Sequence, residues 1–478
     1  MDSQVNDLHA DKLRSDPRVV EAERLLREAL QDAQAGIDGP RPPHPHRRQE
    51  YQAMLERLAA ARGGPTYFPY IASGIGQGPW VELVDGSIKL DFITGIGVHG
   101  LGHSHPALLA AGLRAALEDT VMQGNLQQHR ASLDIMERLL TIAQAGGAKL
   151  DHCMLTTSGA MANENALKIA FHNRHPADRV LALDNCFAGR SLATAQLTDR
   201  PLYRVGLPTA LTVDYIPPED PQHSPESRQR SLAAADKLLR RHPGKYAVLW
   251  LELVAGEGGY YPGSTEFFVQ LIERVKADGA LVVFDEVQTF GRLSRPFAFQ
   301  HFGLDAHADI VTVGKITQLC ATLYGSQLKP TAPILSQTFT AASSSIEACR
   351  TVLDELENSQ CFGEQGGNVQ RHEYFASRLQ QLADKHVGKI AGPWGAGMMI
   401  AFTPGDGSAE CARDLVHRLF DAGLMSFVAG STPARVRFLP PPAVTTRQHI
   451  DAAIEILDHV LADWTGKSTQ TPTAGGKD

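Results

Sequence analysis

ALVVFDEVQTFGR, residues 280–292, joins a run of apolar residues to two carboxylates. Leu281, Val282, Val283 and Phe284 have the unbroken apolar character of a strand buried on both faces. Asp285 and Glu286 stand at its end. An unpaired carboxylate is costly to bury. Either both face water, or one faces a cation that the chain must hold.

Around this stretch the chain alternates strand and helix patterns. HCMLTTSG (152–159) is a strand running into the helix AMANENALKIAFHNR, and RVLALDNCF (179–187) is a strand. YAVLWLELV (246–254) is another, followed by the helix STEFFVQLIERVKADG. ALVVFDEV and ADIVTVG (308–314) come next, separated by a short helix. Such alternation predicts an α/β fold with a mostly parallel sheet covered by helices. Ligands in these folds gather at the carboxyl ends of the strands. Asp285 lies at one such end and Lys315 at another. Beyond about residue 345 helices surround short strands such as GMMIAFTP and RVRFLP, a second, smaller α+β domain. Strand material in PWVELVDGSIKLDFITG is expected to join it.

The expected organisation is an N-terminal extension and linker over 1–48, an N-terminal segment of the small domain over 49–90 and a large domain over 91–345. A small C-terminal domain over 346–465 and a disordered tail over 466–478 complete it. Within the extension, PRVVEAERLLREALQDA is an amphipathic helix and GPRPPHPHRR a Pro-rich linker. Its polar start is no signal peptide, and no apolar run is long enough to span a membrane. A net charge of −8 argues against general nucleic-acid binding. The six cysteines are scattered without a CxxC, which suggests reduced thiols in a cytoplasmic protein. HPH (44–46) lies in the linker, and neither it nor HGLGHSHP (99–106) is expected to hold a metal. Glu164 and Lys168 read as an i,i+4 surface pair.

Two further stretches carry chemistry only in combination. TTSGAMANENALKIA (156–170) ends a strand at Ser158-Gly159 and opens a helix at once, which makes an anion site from free amides and the helix dipole. Alone it reads more readily as a serine-capped helix start. Ala162, Ala166 and Ala170 form a small-residue face for close packing. In VTVGKITQ, Lys315 follows a buried strand; alone it reads more readily as a surface lysine. A phosphate site, a strand-end Asp and a strand-end Lys together describe one ligand with a phosphate, a ring nitrogen and an aldehyde. Pyridoxal 5′-phosphate has all three, and its protonated ring nitrogen is the cation that Asp285 needs.

SGAMANENALKIA, FAGRS, GEGGYYP, FDEVQTFGR, VTVGKITQ and RVRFLPPPAVTTRQHID occur in an order that resembles the class III aminotransferases, from roughly Pro65 to Leu461. The resemblance implies the fold-type-I architecture of pyridoxal-phosphate-dependent transferases: a large domain with a mostly parallel seven-stranded sheet, and a smaller α+β domain. Residue by residue, Lys315 matches the Schiff-base lysine and Asp285 the partner of the pyridinium nitrogen. Ser158, Gly159 and Ala160 match the phosphate-binding turn, Phe187 and Val287 the residues on either face of the ring, and Gln288 the neighbour of its hydroxyl. Thr338 in QTFTAAS matches a threonine that reaches the phosphate in the other subunit, which implies a homodimer with active sites at the subunit interface. Arg190 and Arg437 match two carboxylate-gripping arginines, and Glu257 a glutamate that pairs with the second of them while an ω-amine donor is bound.

The implied activity is transfer of an amino group from an ornithine-, lysine- or 4-aminobutyrate-like donor to 2-oxoglutarate by a ping-pong mechanism. GKITQLC is similar to the lysine 6-aminotransferase subgroup. The chain departs from the family at Ala188, where a histidine is usual, in the shortened run after DEVQT, and at TFTAAS. These departures leave open a racemase or aminomutase on the same scaffold, or a partner protein that binds the cofactor without turnover. No GxGxxG joins a strand to a helix, which speaks against a nicotinamide dehydrogenase.

Overall fold

The structure, a computed structural model, describes residues 8–119 and 121–466, with side chains omitted at 121–123. The tail expected over 466–478 lies outside it but for Gly466.

A seven-stranded sheet forms the centre. In chain order its strands are β1 (His152–Thr156), β2 (Arg179–Leu183), β3 (Thr212–Ile216), β4 (Tyr246–Leu251), β5 (Leu281–Asp285), β6 (Ile310–Val313) and β7 (Cys320–Tyr324). In space they run β1-β7-β6-β5-β4-β2-β3. β4, β6 and β7 are buried at every position, as unbroken apolar runs demand when helices cover both faces. β6, β5, β4, β2 and β3 are mutually parallel. β7 runs antiparallel to both β6 and β1, so the sheet is mostly rather than wholly parallel. β3 and β7 have no clear signature in the sequence: β3 is a half-exposed edge strand broken by Asp214, and CATLY is five residues directly behind the Lys315 turn.

Helix α1 (Gly159–Arg174) packs across β4, β6 and β7. Ala162, Ala166 and Ala170 are wholly buried on its inner face, and their small side chains let the helix lie close to the sheet. Glu164 does not pair with Lys168; its carboxylate accepts a hydrogen bond from the Ser191 hydroxyl instead.

Beyond the central sheet, four antiparallel strands form a second one, in the order 390–396, 399–404, 435–438 and 427–429. A third sheet contains 72–77, 80–83 and 88–91, and Leu424–Met425 from the C-terminal part of the chain adds to it beside Ile88–Asp91. N-terminal strand material thus pairs with C-terminal chain.

Pro17–Gln34 is the expected helix. At its end the buried Gln34 amide donates to the carbonyls of Gly76 at 2.7 Å and Ser104 at 2.9 Å, and Ile37 enters the core. The Pro-rich run after it is pinned to the third sheet: Arg41 pairs with Ile88, and His44 N–H donates to Asp85 O at 2.8 Å.

Of the two histidine groups, His103 Nε2 lies 3.0 Å from Asp91, and His105 Nδ1 accepts from Ala107 N–H at a helix start. All six cysteines are free thiols. Among the described residues no helix is long and apolar enough to cross a membrane.

Candidate active site

The carboxyl ends of β5 and β6 are in register, with Thr312 opposite Asp285. Asp285 is 6% exposed and Glu286 only 1%, so neither faces water. Glu286 lies off the cavity that Asp285 lines; it meets neutral donors only, and burial pushes it up to about 7. Thr289 Oγ1 donates to one oxygen, and the amides of Ala298 and Phe299, at the start of a short helix, donate at 2.9 Å each.

Asp285 points the other way, into a cavity of about 300 Å³. All its hydrogen-bond donors are neutral: Val287 N–H at 3.0 Å and Thr312 Oγ1 at 3.4 Å on one oxygen, Asn163 Nδ2 at 2.8 Å on the other. Burial outweighs them and pushes the carboxyl up to about 6. A carboxylate so placed gains from a cation brought into the cavity.

Lys315 lines the same cavity. It follows β6 through Gly314 and begins a short 3₁₀ turn with a φ of 54°, in the left-handed region. Burial pulls its amine down to about 8, against the attraction of Glu257.

The first turn of α1 forms a further wall. Ser158 caps the helix, its hydroxyl accepting from Met161 N–H at 3.2 Å. The amides of Gly159 and Ala160 have no acceptor within the helix, and both residues line the cavity. Val287 presses against this turn: a Cβ on Gly159 would stand 2.9 Å from Val287 Cγ1. Glycine here therefore allows the Val287 side chain to sit against the helix start.

Phe187, Arg190, Glu257 and Gln288 complete the set of expected residues on this cavity. Gln288 is 7% exposed and its Oε1 has no partner. Arg190 is exposed, with its guanidinium 3.7 Å from the Tyr203 ring centre. Arg437 stands behind Glu257. It is wholly buried, donates from Nη1 to Gly256 O at 3.1 Å and is ion-paired to Glu257 through Nη2. Burial opposes charge on both, yet each holds the other ionised: Glu257 stays below the usual carboxylate range and Arg437 above its own.

Thr338 is not brought to the cavity. It is exposed, and its carbonyl accepts from Gly124 N–H at 2.8 Å. Three residues absent from the sequence reading do belong to the site. Asn163 and Thr312 hold Asp285. Glu252, at the end of β4, accepts from Phe187 N–H at 2.8 Å and Gly256 N–H at 3.1 Å. Burial, with Asp285 nearby, pushes Glu252 up to about 8. A carboxylate directly behind YAVLWL obeys the same logic as Asp285 behind LVVF and was open to the same reading.

The family model for aminotransferase class-III matches residues 63–461. The chain belongs to the class III aminotransferases. It is 27% identical over 408 residues to the acetylornithine aminotransferase of Methanocaldococcus jannaschii, covering 81% of this chain and 92% of that protein. It is 30% identical over 420 residues to the L-lysine-epsilon aminotransferase of Mycobacterium tuberculosis, covering 80% and 89%. The crystallised lysine aminotransferase of M. tuberculosis, in its internal aldimine form, superposes with a TM-score of 0.74 at 27% identity, over 85% of this chain and 99% of that one. This class III aminotransferase thus has the fold-type-I architecture and uses pyridoxal phosphate. The cavity fits that cofactor: the Gly159 and Ala160 amides at a helix start, a buried carboxylate held only by neutral donors, an unpartnered amide oxygen on Gln288 and an amine at Lys315 share one wall system.

Proposed function

We propose that this aminotransferase moves an amino group from a donor whose amine is remote from its carboxylate, of the lysine, ornithine or 4-aminobutyrate type, to 2-oxoglutarate. The observation that carries the reading is the ion pair between the wholly buried Arg437 and the half-buried Glu257, which lines the cavity that holds Lys315 and Asp285. A buried arginine with a removable partner serves a site that must accept two differently charged substrates in turn.

In this reading Gly159 and Ala160 amides, with the Ser158 turn, receive the cofactor phosphate. Asp285 holds the ring nitrogen in its charged form, Val287 and Phe187 flank the ring, and Gln288 meets its hydroxyl. Thr338 acts on the partner copy's site, which makes a homodimer the working unit. Residues 91–345 form the cofactor domain, and 346–465 with 49–90 the smaller one. The bound cofactor supplies an electron sink for the carbon that bears the amine. Lys315 Nζ takes up the proton from that carbon and returns it; an amine near 8 exchanges protons readily close to neutral pH. Arg190, at the mouth, grips the donor's distal carboxylate. Glu257 neutralises Arg437 while the ω-amine donor is bound, then swings aside so that Arg437 receives the α-carboxylate of 2-oxoglutarate. The two half-reactions follow each other in ping-pong order. The free thiols support a cytoplasmic setting.

The test is a screen of amine donors with the holoenzyme and 2-oxoglutarate, reading glutamate. ω-Amine donors give glutamate, and double-reciprocal plots at several oxo-acid concentrations are parallel. Turnover of an amino acid without any oxo acid identifies an isomerase instead.

A further inference from the structure

We propose that a second cavity, beside Arg435, binds a small zwitterionic amino acid, with the carboxylate on the Arg435 guanidinium and the ammonium on Asp220. Arg435 lies two residues before Arg437 on the strand Arg435–Phe438, so both leave the same face. Their circumstances differ. Arg437 has the Glu257 carboxylate. Arg435 is 3% exposed and forms no ion pair among the described residues. Its Nη1 donates to Gly259 O at 2.5 Å, and its Nε is buried without an acceptor. The guanidinium lies 3.8 Å from the centre of the Tyr261 ring and 4.7 Å from that of Trp394. Stacking of this kind offsets only part of the cost of burying a cation. The site therefore has room, energetically, for an anion.

It has room physically as well. Arg435, Asp220, Gln222, Tyr261, His372 and Trp394 line a cavity of about 160 Å³. That is room for several waters or for a short amino acid. The wall selects further by charge. Asp220 accepts from Gln222 N–H at 3.0 Å and lies 3.0 Å from His223 Nδ1. Partial burial opposes its charge, but these partners hold it below the usual carboxylate range. A carboxylate has about four lone-pair sites, so Asp220 keeps capacity for an ammonium. A dicarboxylate meets repulsion from Asp220, and a simple amine meets repulsion from Arg435. A zwitterion satisfies both, with its carbon atoms against the aromatic walls. The segment that carries Gly259 and Tyr261 also carries Glu257, so an occupant touches the chain that closes Arg437.

This site goes beyond the transamination reading, and its test avoids turnover. N,N-Dimethylglycine is a zwitterion whose tertiary amine does not condense with an aldehyde. Titrated into the holoenzyme, it produces a saturable change in tryptophan emission with a matching calorimetric isotherm in the millimolar range. Trp394 reports the change, since Trp80, Trp250 and Trp464 are at most 4% exposed. Trp394→Phe removes the optical signal and leaves a calorimetric isotherm. Arg435→Gln weakens binding at least tenfold, and Arg435→Lys weakens it less. Asp220→Asn removes the preference for dimethylglycine over acetate. Should Arg435→Gln not fold, the lysine and asparagine variants decide. The proposal is overturned if wild type shows no saturation, or if acetate binds it as well as the zwitterion. It is also overturned if the Arg435 variants bind normally while Arg437→Ala abolishes binding, which assigns the ligand to the active site.

Discussion

Asn163 Nδ2 donates to Asp285 Oδ2 at 2.8 Å, and to Ala188 O at 2.7 Å. One side chain on the second turn of α1 thus ties the carboxylate at the end of β5 to the segment after β2. The helix start that offers amides to an anion and the carboxylate that faces a cation are held in fixed relation. Asn163→Ala removes a charge-assisted hydrogen bond of roughly 1–3 kcal/mol. We expect kcat to fall about tenfold or more, with cofactor absorbance retained. A wild-type kcat contradicts the role.

Glu257→Ala leaves the Arg437 cation in place without its partner. The expected outcome is opposite for two donor classes. kcat/KM for ω-amine donors falls about tenfold or more, while kcat/KM for glutamate as an α-amine donor is kept or rises. Steady-state kinetics with both donors checks this, and an equal loss on both removes the gating role.

Gly159→Ala places a methyl group 2.9 Å from Val287 Cγ1. Cofactor affinity is expected to weaken about tenfold, by the 1–3 kcal/mol typical of overpacking. Val287→Ala in the same chain restores part of it. Equilibrium dialysis of the two single variants and the double variant measures the coupling, and strictly additive losses contradict a direct clash.

Three buried carboxyls give the cofactor-free protein an expected contribution to stability that falls as pH rises. Burial raises Asp285 to about 6, Glu286 to about 7 and Glu252 to about 8. A carboxyl with a raised native pKa binds more protons folded than unfolded, so its contribution is present at low pH and is lost as pH rises through that value. These three groups on their own lower stability between about pH 4 and pH 8, against histidines such as His99, His105 and His372, which burial holds below their usual value and which favour folding as pH rises. Glu252→Gln flattens the upper part of that decline. Equal slopes of urea midpoint against pH in wild type and Glu252→Gln contradict the assignment. Lys315, lowered to about 8, acts oppositely above that pH, where the unfolded chain holds more protons.

Much of the site is legible in the sequence because its residues sit where buried strands end. Asp285 and Lys315 each follow an apolar run, and a parallel sheet places such ends along one edge. Gly159 and Ala160 follow from the same rule applied to β1. Asn163 is less legible, because its role depends on the phase of a helix against a neighbouring strand. Glu286 is hidden for another reason: its donors at Ala298 and Phe299 lie 12 and 13 residues away, on a helix of one turn. β7 escapes notice because a short strand after a turn looks like loop, yet its register with β1 and β6 fills the gap between them. Arg435 reads as an ordinary strand residue until the structure reveals that it is buried without a carboxylate.

Lys315 and Asp285 line one cavity, and the proposed function has a single cofactor touching both. Borohydride reduction of the purified holoenzyme, followed by peptide mass spectrometry, tests it most directly. The account predicts a pyridoxyl group on Lys315 in the VTVGKITQ segment and no labelling in Lys315→Ala. A pyridoxyl group on any other lysine contradicts it.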